Sequence, residues 1–141
     1  MKRKASAVWK GDLKSGKGTI SSDSGVLADT QYSFSTRFED GIGTNPEELI
    51  GAAHAGCFSM ALSGQLGNAG LTAESIHTKA AVKLDKTDAG FSITNVHLEV
   101  TAKVPGASQD DFMTAANNAK AGCPVSRVLN AEITMEAKLE D

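Results

Sequence analysis

Cysteine is scarce in this chain, and basic residues never gather into a patch. The two cysteines, Cys57 and Cys123, stand 66 positions apart. That is too few for the disulfide framework of a small secreted domain, and the C-x-x-C spacing of zinc or thioredoxin-like motifs is missing. Three histidines, His54, His77 and His97, do not complete the four-ligand set of a closed zinc site, so neither a metal nor a bound cofactor is expected. The net charge of −3 and the lone basic triplet Lys2, Arg3 and Lys4 argue against a nucleic-acid surface. Small and apolar residues run together between Leu49 and Leu62, but Gly, Ser and His interrupt them. The run is short of the roughly 20 residues that span a bilayer, so no membrane segment is expected. No apolar h-region follows the charged start MKRKASAVWKGD, which gives the expectation of a cytoplasmic protein. With 141 residues, 40% hydrophobic and 22% charged, the chain is expected to form a single domain over 1–141 that buries roughly two-thirds of its surface.

The stretch from Thr44 to Gly67, TNPEELIGAAHAGCFSMALSGQLG, reads as a long buried helix. Asn45 suits the N-cap and Pro46 the first helical position, while Glu47 and Glu48 complement the positive end of the helix dipole. Glu48 reads as the partner of Asn45 in a capping interaction. Apolar and small residues surround the axis beyond Glu48, so the helix needs cover on every side. Gly51, Gly56, Gly64 and Gly67 each cost about 1 kcal/mol against Ala in a helix, which suggests that another backbone packs very close.

Around this helix the chain alternates strand and helix signals. Residues 5–22 read as a β-hairpin with Trp9 as an anchor. Tyr32–Phe38 alternates aromatic and polar residues like a third strand, with Arg37 on its polar face. Residues 76–86 and 91–104 read as a hairpin through TDAG, with Phe91 and Ile93 facing inward. A change of parity near Asn95 predicts a β-bulge there. Ser108 and Asp111 open a helix that Gly122 stops, and Cys123 then caps a short helix beginning at Pro124. Residues 131–140 alternate as a last strand. The expected class is α+β, with a mostly antiparallel sheet, two main helices and a partner subunit covering the central helix, as an intertwined homodimer.

A thiol is a nucleophile only as thiolate. Cys57, midway along an apolar helix, is inert on this reading unless a cation reaches it. Cys123, at a helix start, has amide groups directed at its sulfur. Spacing alone does not say whether the two sulfurs meet. As bland readings, a buried Cys is a small hydrophobe, Arg37 a solvated or paired surface charge, and Glu47 a first-turn acid.

The strings TRFE (36–39), GTNPEELIGAAHAGCFSMAL (43–62) and AGCPVSRVL (121–129), in this order, resemble the OsmC subfamily of the OsmC/Ohr proteins. VWKGDLKSGKGTISSDSGVL and DAGFSIT extend the resemblance over essentially the whole chain. Gly56 stands where close relatives tend to have Ala. The resemblance implies an intertwined homodimer with active sites at the subunit interface. It also implies a thiol-dependent peroxidase that reduces organic hydroperoxides in oxidative-stress defence. On this sequence Cys57 matches the peroxidatic cysteine, Cys123 the resolving cysteine, and Arg37 with Glu47 the pair that activates the thiol. A lipoyl-type external dithiol, carried by a lipoylated protein, is the implied reductant.

Helix geometry bears on how these residues could meet. Glu47 and Cys57 are ten positions apart, which is about 15 Å along a straight helix. An arginine held by Glu47 and touching Cys57 therefore requires either a broken helix or a contribution from the partner chain, and the partner is the expectation. The apolar residues Phe58, Met60 and Leu62, with Phe34 or Phe38, are candidates for an organic-peroxide pocket, although each also suits the core. Three other readings compete. A redox sensor lacks an output domain here, a ligand-binding dimer would need neither cysteine, and a thioredoxin-fold peroxidase lacks its βαβ order.

Overall fold

The computed structural model describes residues 1–141 as two units, Met1–Leu49 and Ile50–Asp141. In the first unit β1 (Ala5–Lys10), β2 (Lys17–Ser22) and β3 (Thr30–Tyr32) form an antiparallel sheet in that order. The expected hairpin is therefore present. Its turn is held by the Asp12 carboxylate, which accepts hydrogen bonds from Ser15 N–H and Ser15 Oγ, both at 2.7 Å. Gly18 is needed for packing, because a Cβ there would lie 2.4 Å from the Tyr32 ring and 2.7 Å from the Trp9 ring. With only hydrogen in that space, the two rings meet at 5.5 Å between centroids.

The expected strand over Tyr32–Phe38 is corrected by the structure. Only Tyr32 belongs to β3, and Phe34–Phe38 forms a short helix, α1. Ser33 Oγ accepts from Thr36 N–H at 3.3 Å, while Thr36 Oγ1 accepts from Ser33 N–H at 2.8 Å. This reciprocal capping box turns the backbone before a strand can continue. The aromatic spacing that suggested a strand also serves a helix, since Phe34 and Phe38 are neighbours at i, i+4 and their rings sit 4.8 Å apart. Arg37 consequently lies in the last turn of α1.

Helix α2 (Pro46–Asn68) starts at the end of the first unit and runs unbroken into the second. Asn45 Oδ1 accepts from Glu48 N–H at 2.8 Å, as its N-cap role requires. The Glu48 carboxylate turns to Thr44 Oγ1 at 2.8 Å. In the second unit β4 (Ser75–Thr87), β5 (Gly90–Lys103) and β6 (Glu132–Glu140) form a sheet, β4 antiparallel and β6 parallel to β5. The expected bulge is present. Lys83 pairs with Asn95 and Leu84 with Ile93, leaving Thr94 extra. Beyond it Val96, Leu98, Val100 and Ala102 all point into the core, whereas Phe91 near the hairpin end is 59% exposed.

Helix α3 (Gln109–Gly122) is capped by Ser108, whose side chain accepts from Asp111 N–H at 3.1 Å. Helix α4 (Pro124–Val128) follows at once with Cys123 as its N-cap. Phe58, Leu62 and Leu66 of α2 meet the inner residues of β5 and Phe112 of α3 in one core. Gly51 lets α2 approach the sheet closely, since a Cβ there would lie 3.3 Å from Ala80 O. Gly56, Gly64 and Gly67 differ, because nothing lies within 4 Å of where their Cβ atoms would be. With Ala53 and Met60 they form an exposed stripe along α2. The capping box predicts that Ser33→Ala destabilises the fold by about 1 kcal/mol in urea titration, as loss of an N-cap typically does.

Candidate active site

The four residues singled out from sequence fall into two pairs, one in each unit. Cys57 sits in the middle of α2, half-buried, and Cys123 is fully buried at the α3–α4 junction. The Cys123 thiol lies close enough to Cys57 to raise its pKa. Two residues 66 positions apart are thus brought together because α3 and α4 pack beside α2. Burial pushes the Cys57 thiol pKa up, the Val125 backbone N–H works against this, and the adjacent Cys123 adds to the rise. Val125 N–H is therefore a donor aimed at the Cys57 sulfur, and within the second unit it is the feature that favours a thiolate there.

Arg37 and Glu47 form the other pair. Arg37 Nε lies 3.1 and 3.2 Å from the two Glu47 carboxylate oxygens and Nη2 lies 2.7 Å from Oε1. This fork geometry fixes the guanidinium while its remaining N–H groups stay unspent on Glu47. Glu47 is the more buried partner, at 11% exposure against 38% for Arg37. Beside the guanidinium is an open cavity of about 240 Å³, lined by Trp9, Tyr32, Phe34, Phe38, Pro46 and Leu13 together with Arg37. It is an apolar hollow with one cation on its wall.

The pocket candidates therefore divide. Phe34 and Phe38 line this cavity, whereas Phe58 and Leu62 are fully buried core residues and Met60 is 79% exposed. Trp9 and Tyr32 were missed from sequence as cavity residues; they flank Gly18 of β2 from β1 and β3, a register no local spacing gives. His54 and Ser126 were also missed. His54 is fully buried on α2, and its Nε2 lies 2.7 Å from Ser126 Oγ on α4. Ser126 Oγ in turn lies 3.2 Å from Cys123 Sγ. For metal binding, ligand atoms of His97, Glu99 and Glu136 lie within 4.8 Å of one another, but both carboxylates are exposed and His97 Nδ1 already bonds Thr134 Oγ1 at 2.7 Å.

Burial lowers the His54 pKa below its ordinary 6.5 because an imidazolium loses its hydration there. A lowered folded-state value means that the unfolded chain binds more protons below that pH. The contribution of neutral His54 to stability is therefore complete above about pH 6.5 and declines as pH falls through the folded value. The urea midpoint is predicted to fall between pH 7 and pH 5, and less steeply in His54→Gln.

Comparison with known proteins places this geometry in a family. The sequence profile described as OsmC-like protein matches residues 39–138. Peroxiredoxin OsmC of Escherichia coli K12 is 58% identical over 138 residues, covering 98% of this chain and 96% of that protein. Organic hydroperoxide resistance protein OhrB of Bacillus subtilis is 30% identical over 124 residues, covering 87% and 89%. The crystal structure of that OhrB superposes with a TM-score of 0.71 at 25% identity over 96% of this chain and 98% of that one. An OsmC-like protein of unknown function from Vibrio cholerae shares the fold, with a TM-score of 0.77 at 19% identity over 97% and 99% of the two chains. From the matched profile and the near full-length identity, the chain belongs to the OsmC-like protein family.

Proposed function

We propose that this protein is a thiol-dependent peroxidase that reduces organic hydroperoxides to alcohols in oxidative-stress defence. The observation that carries this reading is the nearness of two free thiols, half-buried Cys57 and buried Cys123, close enough for one to shift the pKa of the other. The names of its relatives, a peroxiredoxin and organic hydroperoxide resistance proteins, support the same reaction class.

The Cys57 thiolate attacks the terminal oxygen of the hydroperoxide, forming an S–O bond as the O–O bond breaks, and the alkoxide leaves and is protonated to the alcohol. Val125 N–H and the Arg37 guanidinium stabilise the charge on sulfur and on the departing oxygen. Cys57 is now a sulfenic acid. Cys123 displaces its hydroxyl as water, giving the Cys57–Cys123 disulfide and sparing the sulfur from further oxidation. An external dithiol of the lipoyl type, presented by a lipoylated protein, returns both thiols by exchange. No bound cofactor enters the cycle, and the need for a dithiol reductant suits the reducing cytoplasm. No helix is long and apolar enough to cross a membrane.

The working form in this proposal is a homodimer. Burial and the neighbouring Cys123 raise the Cys57 pKa, so the thiol needs a cation, and the Glu47-bound Arg37 is the prepared one. Glu47 and Cys57 lie on one unbroken helix, about 15 Å apart at 1.5 Å per residue. Pairing the partner subunit's Arg37 with Cys57 removes that separation. The stripe of Ala53, Gly56, Met60, Gly64 and Gly67 supports a second copy packing on α2, because small residues let helix backbones approach closely. At about 100° per residue Cys57 borders this stripe, which would set the thiol at the edge of the interface. The aromatic cavity beside Arg37 then receives the organic part of the hydroperoxide.

Anaerobic stopped-flow mixing of the reduced protein with cumene hydroperoxide and with H₂O₂, followed by mass spectrometry, tests the reaction. The expected result is rapid loss of two thiols to a Cys57–Cys123 disulfide, faster with the organic peroxide. Thiols that remain reduced with both oxidants would rule out the peroxidase, and equal rates would remove the role of the cavity.

A further inference from the structure

The proposed peroxidase cycle gives no task to His54, yet the fold buries this imidazole completely. Nδ1 of that ring is buried without a hydrogen-bond partner, while Nε2 is committed to Ser126 Oγ at 2.7 Å. Ser126 reaches Cys123 by two routes. Its hydroxyl lies 3.2 Å from Cys123 Sγ, and its backbone N–H donates to the same sulfur at 3.3 Å. An apolar residue at position 54 would fill the core without leaving a nitrogen orphaned, which is destabilising in a buried site. The retained imidazole therefore asks for a role beyond packing.

We propose that His54 and Ser126 form a proton relay that activates Cys123 as the resolving thiol. The inference rests on the peroxidase reading. In the relay the neutral ring carries its hydrogen on Nδ1 and accepts at Nε2. Ser126 Oγ–H donates to His54 Nε2 and its oxygen accepts from the Cys123 thiol. As Cys123 sulfur attacks the Cys57 sulfenic sulfur, the S–S bond forms and the S–O bond of the sulfenic acid breaks. Cys123 sulfur is oxidised and Cys57 sulfur is reduced by the same electron pair. The Cys123 proton passes to Ser126 Oγ while the Ser126 proton passes to Nε2. The Nε2 proton then returns to Ser126 Oγ as the Ser126 hydroxyl proton neutralises the departing hydroxide, so the products are the disulfide, one water and the neutral ring restored.

Burial supports this assignment. The environment disfavours imidazolium, so the ring rests in the neutral form that can accept and gives up the transferred proton readily. Val125 and Ser126 share the work by position along α4. Val125 N–H faces the Cys57 sulfur and Ser126 faces the Cys123 sulfur, so one short helix serves both thiols. His54 does not touch a reacting atom, which makes it a positioning residue acting through Ser126.

The test follows the two steps separately in the intact protein. Cumene hydroperoxide is mixed with reduced protein, sulfenic acid is trapped with dimedone, and disulfide is counted by quenched-flow mass spectrometry. His54→Gln keeps a hydrogen bond to Ser126 but has no titrating nitrogen, and Ser126→Ala breaks the chain directly. Both are expected to form the Cys57 sulfenic acid within about twofold of the parent rate and to close the disulfide about a hundredfold more slowly, at the low end of general acid–base effects. The double variant should be no slower than either single one, and Ser126→Thr, which keeps the hydroxyl, should stay within about threefold of the parent. A solvent deuterium isotope effect on disulfide closure should be present in the parent and absent in His54→Gln. If His54→Gln does not fold, Ser126→Ala and Ser126→Thr decide the matter. Disulfide closure at the parent rate in Ser126→Ala, or equal slowing in Ser126→Thr, overturns the relay while leaving the peroxidase reading intact. A parent protein that forms no sulfenic acid overturns both.

Discussion

The uninterrupted course of α2 is the constraint on which the account depends. Twenty-three residues form one helix with Glu47 in its first turn and Cys57 near its middle. A thiol in apolar surroundings is a poor nucleophile because its thiolate loses hydration, and the Cys57 pKa is raised for that reason. The chain does hold a guanidinium in a rigid fork, but the acid that fixes it belongs to the first turn of the same helix. A rigid rod cannot bring its own first turn to its own middle. In the proposed dimer a second copy resolves this geometry, and the small exposed stripe of α2 is what lets that copy come close.

The second unit brings two free thiols near one another. The core clamps α2 through Phe58, Leu62 and Leu66, and the α3–α4 junction sets Cys123 against Cys57. Val125 N–H is spent on one sulfur and Ser126 on the other, with His54 behind Ser126. The first unit supplies the complementary part, an aromatic hollow with Arg37 on its wall. In the proposed chemistry the alkyl or aryl group is recognised by one unit and the oxygen transfer occurs on the other.

Much of this was legible in the sequence where a local rule decided the outcome. Asn45 and Pro46 mark the start of α2, the parity change before Val96 marks the bulge at Thr94, and the Cys-Pro junction marks the cap of α4. The failures share a cause, since each depended on which of two compatible patterns prevailed or on contacts distant in sequence. Phe34 to Phe38 satisfies both a strand and a helical turn, and the Ser33–Thr36 box chose the turn. Phe58 and Leu62 are apolar enough for either pocket or core, and only the position of the sheet assigns them to the core. The His54–Ser126 bond joins residues 72 positions apart, so no spacing rule could reveal it. The parallel pairing of β6 with β5 was likewise set by how α3 and α4 return the chain.

The central claim is that a thiol on one copy of α2 is activated by the arginine of the other copy. Mixed dimers test it most directly. Chains carrying Cys57→Ser and chains carrying Arg37→Ala, each inactive as its own homodimer, are unfolded together, refolded and purified by two different tags. Such heterodimers are expected to regain up to half of the parent hydroperoxide reductase activity, because one of their two sites joins an intact Cys57 to the partner subunit's intact Arg37. Confirmed heterodimers with no activity above the inactive parents would contradict it.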